Sequence, residues 1–248
     1  MIISHSKKFI FVHIPKTGGS SVEEALAPTL SWSDLILGTT PLGEAMNEAF
    51  RERYGLSDHS SVEEIVAICG RELFHDYFSF SLVRHPVDRA VSFYNFLNTL
   101  CTWQCRQAGY GLEELRRLMT TGLADDPERA ALIAARPSLG WIGMRGFLGT
   151  TSFGDFIRSQ YTLADPAFFP QIDMVRSLDG SVTLDQIWKL EEIGLVGPRL
   201  SRRLEVEITI GVENRSNFPR MRPDEVNQTD RAYLKRLFQE DFLAFDYD

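Results

Sequence analysis

A chain of 248 residues, 44% hydrophobic and 24% charged, has the make-up of an ordinary soluble globular protein, and one domain spanning 1–248 is expected. The formal net charge of −8 argues against broad non-specific nucleic-acid binding, which needs a basic surface, but leaves room for a local anion pocket. No apolar run approaches the roughly 18 residues that span a bilayer, and MIISHSKKF lacks the long apolar core and small-residue cleavage site of a leader, so no membrane span and a cytoplasmic location are expected.

The three cysteines, Cys69, Cys101 and Cys105, are odd in number and too few for a disulfide framework, which fits a reducing compartment. Cys101 and Cys105 have the spacing of one helical turn, yet no Cys/His pair at finger spacing completes a metal site. Buried thiols are the favoured reading, and no metal is assigned.

In chain order, residues 9–14, FIFVHI, read as a short, continuous, buried strand of the central parallel type. After the PKTGG turn, SSVEEAL opens a helix, with Ser20 and Glu23, or Ser21 and Glu24, at capping-box spacing. EAMNEAFRERYG predicts a helix ended by Gly55, and SVEEIVAICG a helix stopped by Gly70. FSFSLV, residues 78–83, is a second buried strand, and RHPVDRAVSFYNFL follows it directly. Pro86 suits the first turn of a helix there, with Val87, Ala90, Val91, Tyr94 and Leu97 on one face and Arg89 and Ser92 pointing elsewhere.

Residues 101–170 are weakly patterned, with helical GLEELRRLM and the glycine-rich GWIGMRGFLG. A third strand is expected around QIDMV, and strand then helix over LDQIWKLEEI. ENRSNFPRMRPDEVNQT, residues 213–229, reads as a surface loop, and TDRAYLKRLFQEDFLAFDYD as an amphipathic helix capped by its Thr or Asp. Strands alternating with helices predict an α/β sheet with helices on both faces. In such sheets ligands sit beyond the carboxyl ends of the strands, where both PKTGGSS and RHPVDR fall.

A helix start behind a glycine turn offers unpaired N–H groups and a positive dipole end to an anion. Lys16 adds a mobile cation, Thr17, Ser20 and Ser21 add hydroxyls, and Gly18 and Gly19 allow close backbone approach. The stretch is thus built like a phosphate or sulfate cradle, although a capped glycine turn with a solvated lysine would look the same in isolation. It does not fit the nucleoside-triphosphate loop G-x-x-x-x-G-K-[ST], because Lys16 precedes the glycines. Arg84, at the end of the second strand, offers a fork for a second anion. Taken alone it reads first as a structural ion-pair partner, for instance of Asp88.

At these residues the chain resembles the sulfotransferases that use 3′-phosphoadenosine-5′-phosphosulfate, in particular their carbohydrate-type branch. HIPKTGGSS resembles the family's 5′-phosphosulfate loop, FSLVRHPVDRAVSFYNF its 3′-phosphate motif V-R-N-P-x-D-R-x-x-S-x-Y, and SDHSSVEEIVAICGRELFHDYFSF its His-plus-helix segment. The likeness is close over residues 7–98; beyond them FFPQIDMV, IWKLEEI and EDFLAFDY resemble landmarks only loosely. His85 stands where Asn is usual, and Phe168-Phe169 where many relatives carry a polar or His-bearing pair. The resemblance implies a three-layer sandwich with a central parallel sheet, like that of the P-loop nucleotide kinases. It also implies donor binding by Pro15, Lys16, Thr17, Gly18, Gly19, Ser20 and Ser21, with Lys16 on the phosphosulfate and Arg84 and Ser92 on the 3′-phosphate. The sulfuryl group would pass to a hydroxyl or amine without a required metal, leaving 3′,5′-ADP.

Of the five histidines, His5 is near the terminus, His13 lies in the first strand, His75 follows a predicted helix and His85 sits in the turn that resembles the 3′-phosphate motif, and a lone histidine is more often structural or solvated than catalytic. His59 lies in SDHSS, which the resemblance places beside the sulfuryl group, and is the expected base, with Asp58 able to orient it and Glu23 and Glu24 as carboxylate alternatives. Arg116-Arg117 and Arg202-Arg203 read as solvated helix faces rather than a polyanion track. Two rival readings stand: a nucleotide kinase, which binds ATP with magnesium, and a non-catalytic nucleotide-binding module.

Overall fold

The computed structural model of the protein describes residues 1–121, 126–211 and 220–248. Two compact units emerge: Met1–His85 with the described part of Pro170–Arg215 and Glu240–Asp248, and Pro86–Phe169 with the described part of Ser216–Gln239.

The first unit holds a five-stranded sheet made of β1 (Ile2–Ser4), β2 (Phe9–Val12), β3 (Leu35–Ile36), β4 (Phe78–Val83) and β5 (Gln186–Lys189), in the order β3-β1-β2-β4-β5. β2, β4 and β5 are parallel, with Val12 opposite Ser81 and Val83 opposite Lys189. β1 runs antiparallel to both β2 and β3, so the sheet is mixed where an all-parallel centre was expected. The cause is the link. Residues 5–8 separate β1 from β2, enough for a hairpin, whereas a parallel crossover needs a dozen residues or more.

Alternation splits the strands between two cores. Phe9, Phe11, Phe80, Leu82 and Trp188 pack with Val22 and Leu26 of helix Gly19–Leu26 and with Val196 and Leu200 of helix Ile193–Leu204. Ile3, Ile10, Val12 and Val83 pack with Val62 and Ile65 of helix Val62–Cys69 and Phe74 of helix Arg71–Asp76. Helices therefore cover both faces of the sheet. This double burial is why FIFV reads as an unbroken apolar run, each fully buried large side chain contributing about 1.5–3 kcal/mol. The serines of FSFSLV are buried too, and their hydroxyls are satisfied: Ser81 donates to the Val12 carbonyl at 2.6 Å and Ser79 to Asp185 at 3.0 Å.

Helix Pro41–Tyr54 ends at Gly55 (φ 71°), and Val62–Cys69 starts in a Ser61/Glu64 capping box and stops at Gly70 (φ 79°), as the sequence predicts. β5 followed by helix is likewise found. The expected strand at QIDMV is instead a helical turn, Ile172–Val175, because the main-chain N–H groups of Gln171 and Ile172 donate to the Asp241 carboxylate and not to a strand. Neither proposed capping box forms at Ser20 or Ser21. The helix begins behind Gly18 with no side-chain cap.

In the second unit, helix Pro86–Ala108 buries Val87, Ala90, Val91 and Leu97 and packs Tyr94 on Phe147, Phe153 and Phe156. Arg89, expected off the core face, is buried. Its guanidinium donates to the carbonyls of Ala167 (3.1 Å) and Phe169 (2.5 Å) and lies over the Phe238 ring, so main-chain acceptors and a π-face replace water. Helix Leu112–Thr121 is present as expected, and the glycine-rich stretch contains helix Ile142–Leu148. Helix Gln228–Leu237 is capped by Asn227, whose side chain accepts from the Asp230 N–H, and not by Thr229 or Asp230. Of the expected loop 213–229, residues 213–219 lie outside the described residues. Cys69, Cys101 and Cys105 are free thiols, and burial, reinforced by Cys105, pushes Cys101 up to about 12. Among the described residues, no helix is long and apolar enough to cross a membrane.

Candidate active site

β2 delivers the PKTGGSS turn at its carboxyl end. Lys16 (φ 69°) and Gly18 (φ 84°) both adopt left-handed backbone, which reverses the chain in four residues and starts helix Gly19–Leu26. The buried Thr17 hydroxyl donates to the Ile14 carbonyl at 2.9 Å, so it fastens the turn instead of facing a ligand. Gly19 lies against the His13 ring: a Cβ there would stand 2.0 Å from His13 Cδ2, so only glycine lets the helix begin at this point. Pro15 is buried, while Lys16, Gly18, Ser20 and Ser21 are half-buried. A helix start uncapped by any side chain, at Gly19 behind Gly18 and Lys16, fits an anion.

His59 comes to the same end of the sheet from the segment before helix Val62–Cys69. Its Nδ1 lies 2.9 Å from the His13 carbonyl oxygen. A carbonyl can only accept, so Nδ1 carries the hydrogen and Nε2 of the neutral ring keeps its lone pair. Asp58 Oδ2 is 3.5 Å from that Nε2, placed to favour the imidazolium once a proton arrives. The orienting group is thus the His13 carbonyl, and Asp58 is an electrostatic neighbour. Burial and the adjacent His13 ring, 4.5 Å away centroid to centroid, bring His59 down to about 4. Burial opposes ionisation of Asp58, but His59 and the Asn47 amide outweigh it and hold the carboxyl below its usual range.

Beneath this pair, Glu23 is fully buried. One carboxylate oxygen takes both the Met1 ammonium and His13 Nδ1 (2.8 Å), and the other accepts from the Thr39 hydroxyl. Burial alone would raise Glu23; His13 and the ammonium outweigh it and bring it to about 2. Glu23 is therefore committed to internal partners, and Glu24 is exposed on the helix surface. The sequence reading missed that His13 is central. Its position one residue past a strand end and three before Lys16 was the available signal.

Arg84 follows the last β4 pair, at the carboxyl end of the strand next to β2. Its main chain is gripped on both sides by one side chain: Arg84 N–H donates to Gln171 Oε1 (2.9 Å) and Gln171 Nε2 donates to the Arg84 carbonyl (2.9 Å). Next door, His85 N–H donates to Glu191 Oε1 (2.8 Å), and Tyr247 donates to Glu191 Oε2 (3.0 Å). The PKTGG turn, His59 and Arg84 thus gather at one end of the first unit's sheet. Ser92 lies on helix Pro86–Ala108 in the second unit, half-buried.

The Sulfotransferase family model matches residues 1–248, the whole chain, and the protein belongs to that family. No curated protein and no solved structure matches it. It is accordingly a transferase of sulfuryl groups with an α/β fold built on a five-stranded mixed sheet.

Proposed function

We propose that the protein transfers the sulfuryl group of 3′-phosphoadenosine-5′-phosphosulfate to a hydroxyl or amine of an acceptor, a saccharide being one candidate class. The observation that carries the reading is the tautomer of His59: with Nδ1–H fixed on the His13 carbonyl, Nε2 is an acceptor held ready beside a lysine-bearing anion cradle. In-line transfer breaks the bond between sulfur and the bridging phosphate oxygen and forms one between sulfur and the acceptor oxygen. His59 Nε2 takes the acceptor proton, and Lys16 offsets the charge that develops on the departing oxygen. The donor is cradled by Pro15, Lys16, Thr17, Gly18, Gly19, Ser20 and Ser21, with Thr17 acting through the turn. Arg84 binds the 3′-phosphate; Ser92 shares that role on the strength of the sequence motif. The fold is of the P-loop nucleotide-kinase type, 1–248 acts as one sulfotransferase domain, and three free thiols support a cytoplasmic setting.

Thermal shift with 3′,5′-ADP, ADP and ATP-magnesium tests the reading. Only 3′,5′-ADP should stabilise strongly, by about 2.7 kcal/mol at 100 times its dissociation constant. Preference for ATP-magnesium would instead make the protein a kinase. In the same preparation, His59→Ala should bind 3′,5′-ADP normally yet lose turnover by about 10²–10⁴-fold, with partial rescue by an acidic acceptor such as a nitrophenol. Binding without turnover in the unmodified protein, across hydroxyl and amine acceptors, would leave only a binding module.

A further inference from the structure

The geometry points to Gln171 and Asp241 as positioning residues that aim Arg84 at the donor's 3′-phosphate; this rests on the sulfotransferase reading above. The β4–β5 ladder ends at the pair Val83 and Lys189, and at Arg84 a side chain meets the main chain where the ladder would continue. Gln171 takes that place. Its amide oxygen accepts from Arg84 N–H and its amide nitrogen donates to the Arg84 carbonyl, both at 2.9 Å, as an opposing strand residue would. Those two bonds settle the orientation of the amide, because the reverse would set donor against donor and acceptor against acceptor.

Gln171 is itself fixed. Its main-chain N–H and its second amide hydrogen reach Asp241 Oδ2 (2.9 and 3.2 Å), and Ile172 N–H reaches Asp241 Oδ1 (2.9 Å). Both side chains are fully buried, so water cannot substitute for a lost partner, and three N–H donors share one carboxylate in charge-assisted bonds. The direction of a side chain is set by its own N, Cα and carbonyl. Gripping both polar groups of Arg84 therefore fixes where its Cα–Cβ bond points, and a displacement of about 1 Å at a binding group can cost about 100-fold.

The test is calorimetry with 3′,5′-ADP and 5′-AMP, which differ by the 3′-phosphate, on the unmodified chain, Arg84→Ala, Gln171→Met and their double variant. Gln171→Met preserves length and volume while removing both amide bonds. It should weaken 3′,5′-ADP by about tenfold to 100-fold and leave 5′-AMP unchanged to within about twofold. In the Arg84→Ala background the same change should cost 3′,5′-ADP no more than about twofold, since the group being aimed is gone. Equal losses for the two ligands, full additivity with Arg84→Ala, or no loss in a folded variant would each overturn the assignment. Should Gln171→Met fail to fold, Asp241→Asn carries the same selectivity test. If Arg84→Ala itself weakens both ligands equally, the 3′-phosphate role of Arg84 fails first and the positioning role falls with it, an outcome distinct from a silent Gln171 beside a selective Arg84.

Discussion

The turn after β2 is held from within: Thr17 closes on Ile14 three residues back, Gly18 supplies left-handed backbone, and Gly19 rests on His13. The turn after β4 is held from afar, by Gln171 at a separation of 87 residues and Glu191 at 106, with Asp241 a further 70 beyond Gln171. Both turns end parallel neighbouring strands and both carry a basic residue, Lys16 in the first and Arg84 in the second. The first takes its turn-closing bond from its own residues, with His59 on the His13 carbonyl and Leu190 against Gly18 as its distant contacts, whereas the second needs long loops closed, a cost that grows only slowly with length but must be met before the contacts form. The anion sites proposed at the two strand ends would thus depend on different parts of the chain. Damage to the first turn should be local, and damage to the second should follow from residues far away in sequence.

Lys16→Gly should show the largest effect. Lys16 sits at φ 69°, where a residue with a Cβ is strained and glycine is not. Removing the ammonium should lower turnover by about 100-fold or more, the scale of losing one preorganised electrostatic donor. The melting temperature should be no lower than that of the unmodified protein. Activity retained in a folded variant would remove Lys16 from the chemistry; a fall in melting temperature would mean that the lysine also anchors the turn.

Gly19→Ala should act on stability with Lys16 left in place. The new Cβ would lie 2.0 Å from His13 Cδ2 and 2.3 Å from Nε2, and His13 is confined between Glu23 and His59. Overpacking of this kind costs about 1–3 kcal/mol, readable as a lowered urea midpoint. Displacing His13 also moves the carbonyl that orients His59, so turnover should fall beyond what the unfolded fraction explains. An unchanged midpoint would mean that the first turn is more pliable than its contacts imply.

The same contrast decides what was legible in the sequence. HIPKTGGSS could be read because its reasons for existing lie inside it: a buried strand, a glycine reversal, a helix start. FSFSLV, Gly55, Gly70 and the Ser61/Glu64 box were legible on the same ground. QIDMV reads locally as a strand because the feature that makes it helical is a carboxylate about 70 residues away, invisible to local periodicity. Ser20 and Glu23 match the capping-box spacing, but Glu23 is taken by the Met1 ammonium and His13, a tertiary demand that overrides a local one, and Ser21 falls inside a helix that already begins behind Gly18. Arg89 shows the same limit in the second unit: a charge on a helix looks solvent-facing until the carbonyls of residues 167 and 169 appear beside it.

The smallest effect concerns acid stability and separates His59 from Glu23. His59 is lowered by burial and by His13 to about 4, below the roughly 6.5 of an unfolded chain. Between those values the unfolded chain binds the proton more readily, so stability must rise with pH. The His59 contribution is therefore fully present above about pH 6.5 and is lost as pH falls towards 4. Because its side chain is 37% exposed, solvent screening reduces the effect to about 1 kcal/mol. Glu23, lowered to about 2 by His13 and the Met1 ammonium, also loses stability on acidification, but in a window from about 4.5 down to 2. Urea unfolding from pH 7 to 3 should show both windows in the unmodified protein. His59→Asn should flatten the upper window and leave the lower one, and turnover of the unmodified enzyme should stay level from neutrality down to about pH 5 before it falls. An unaltered slope between pH 6.5 and 4 in His59→Asn would place that proton on another group, and the neutral, Nε2-accepting His59 would lose its support.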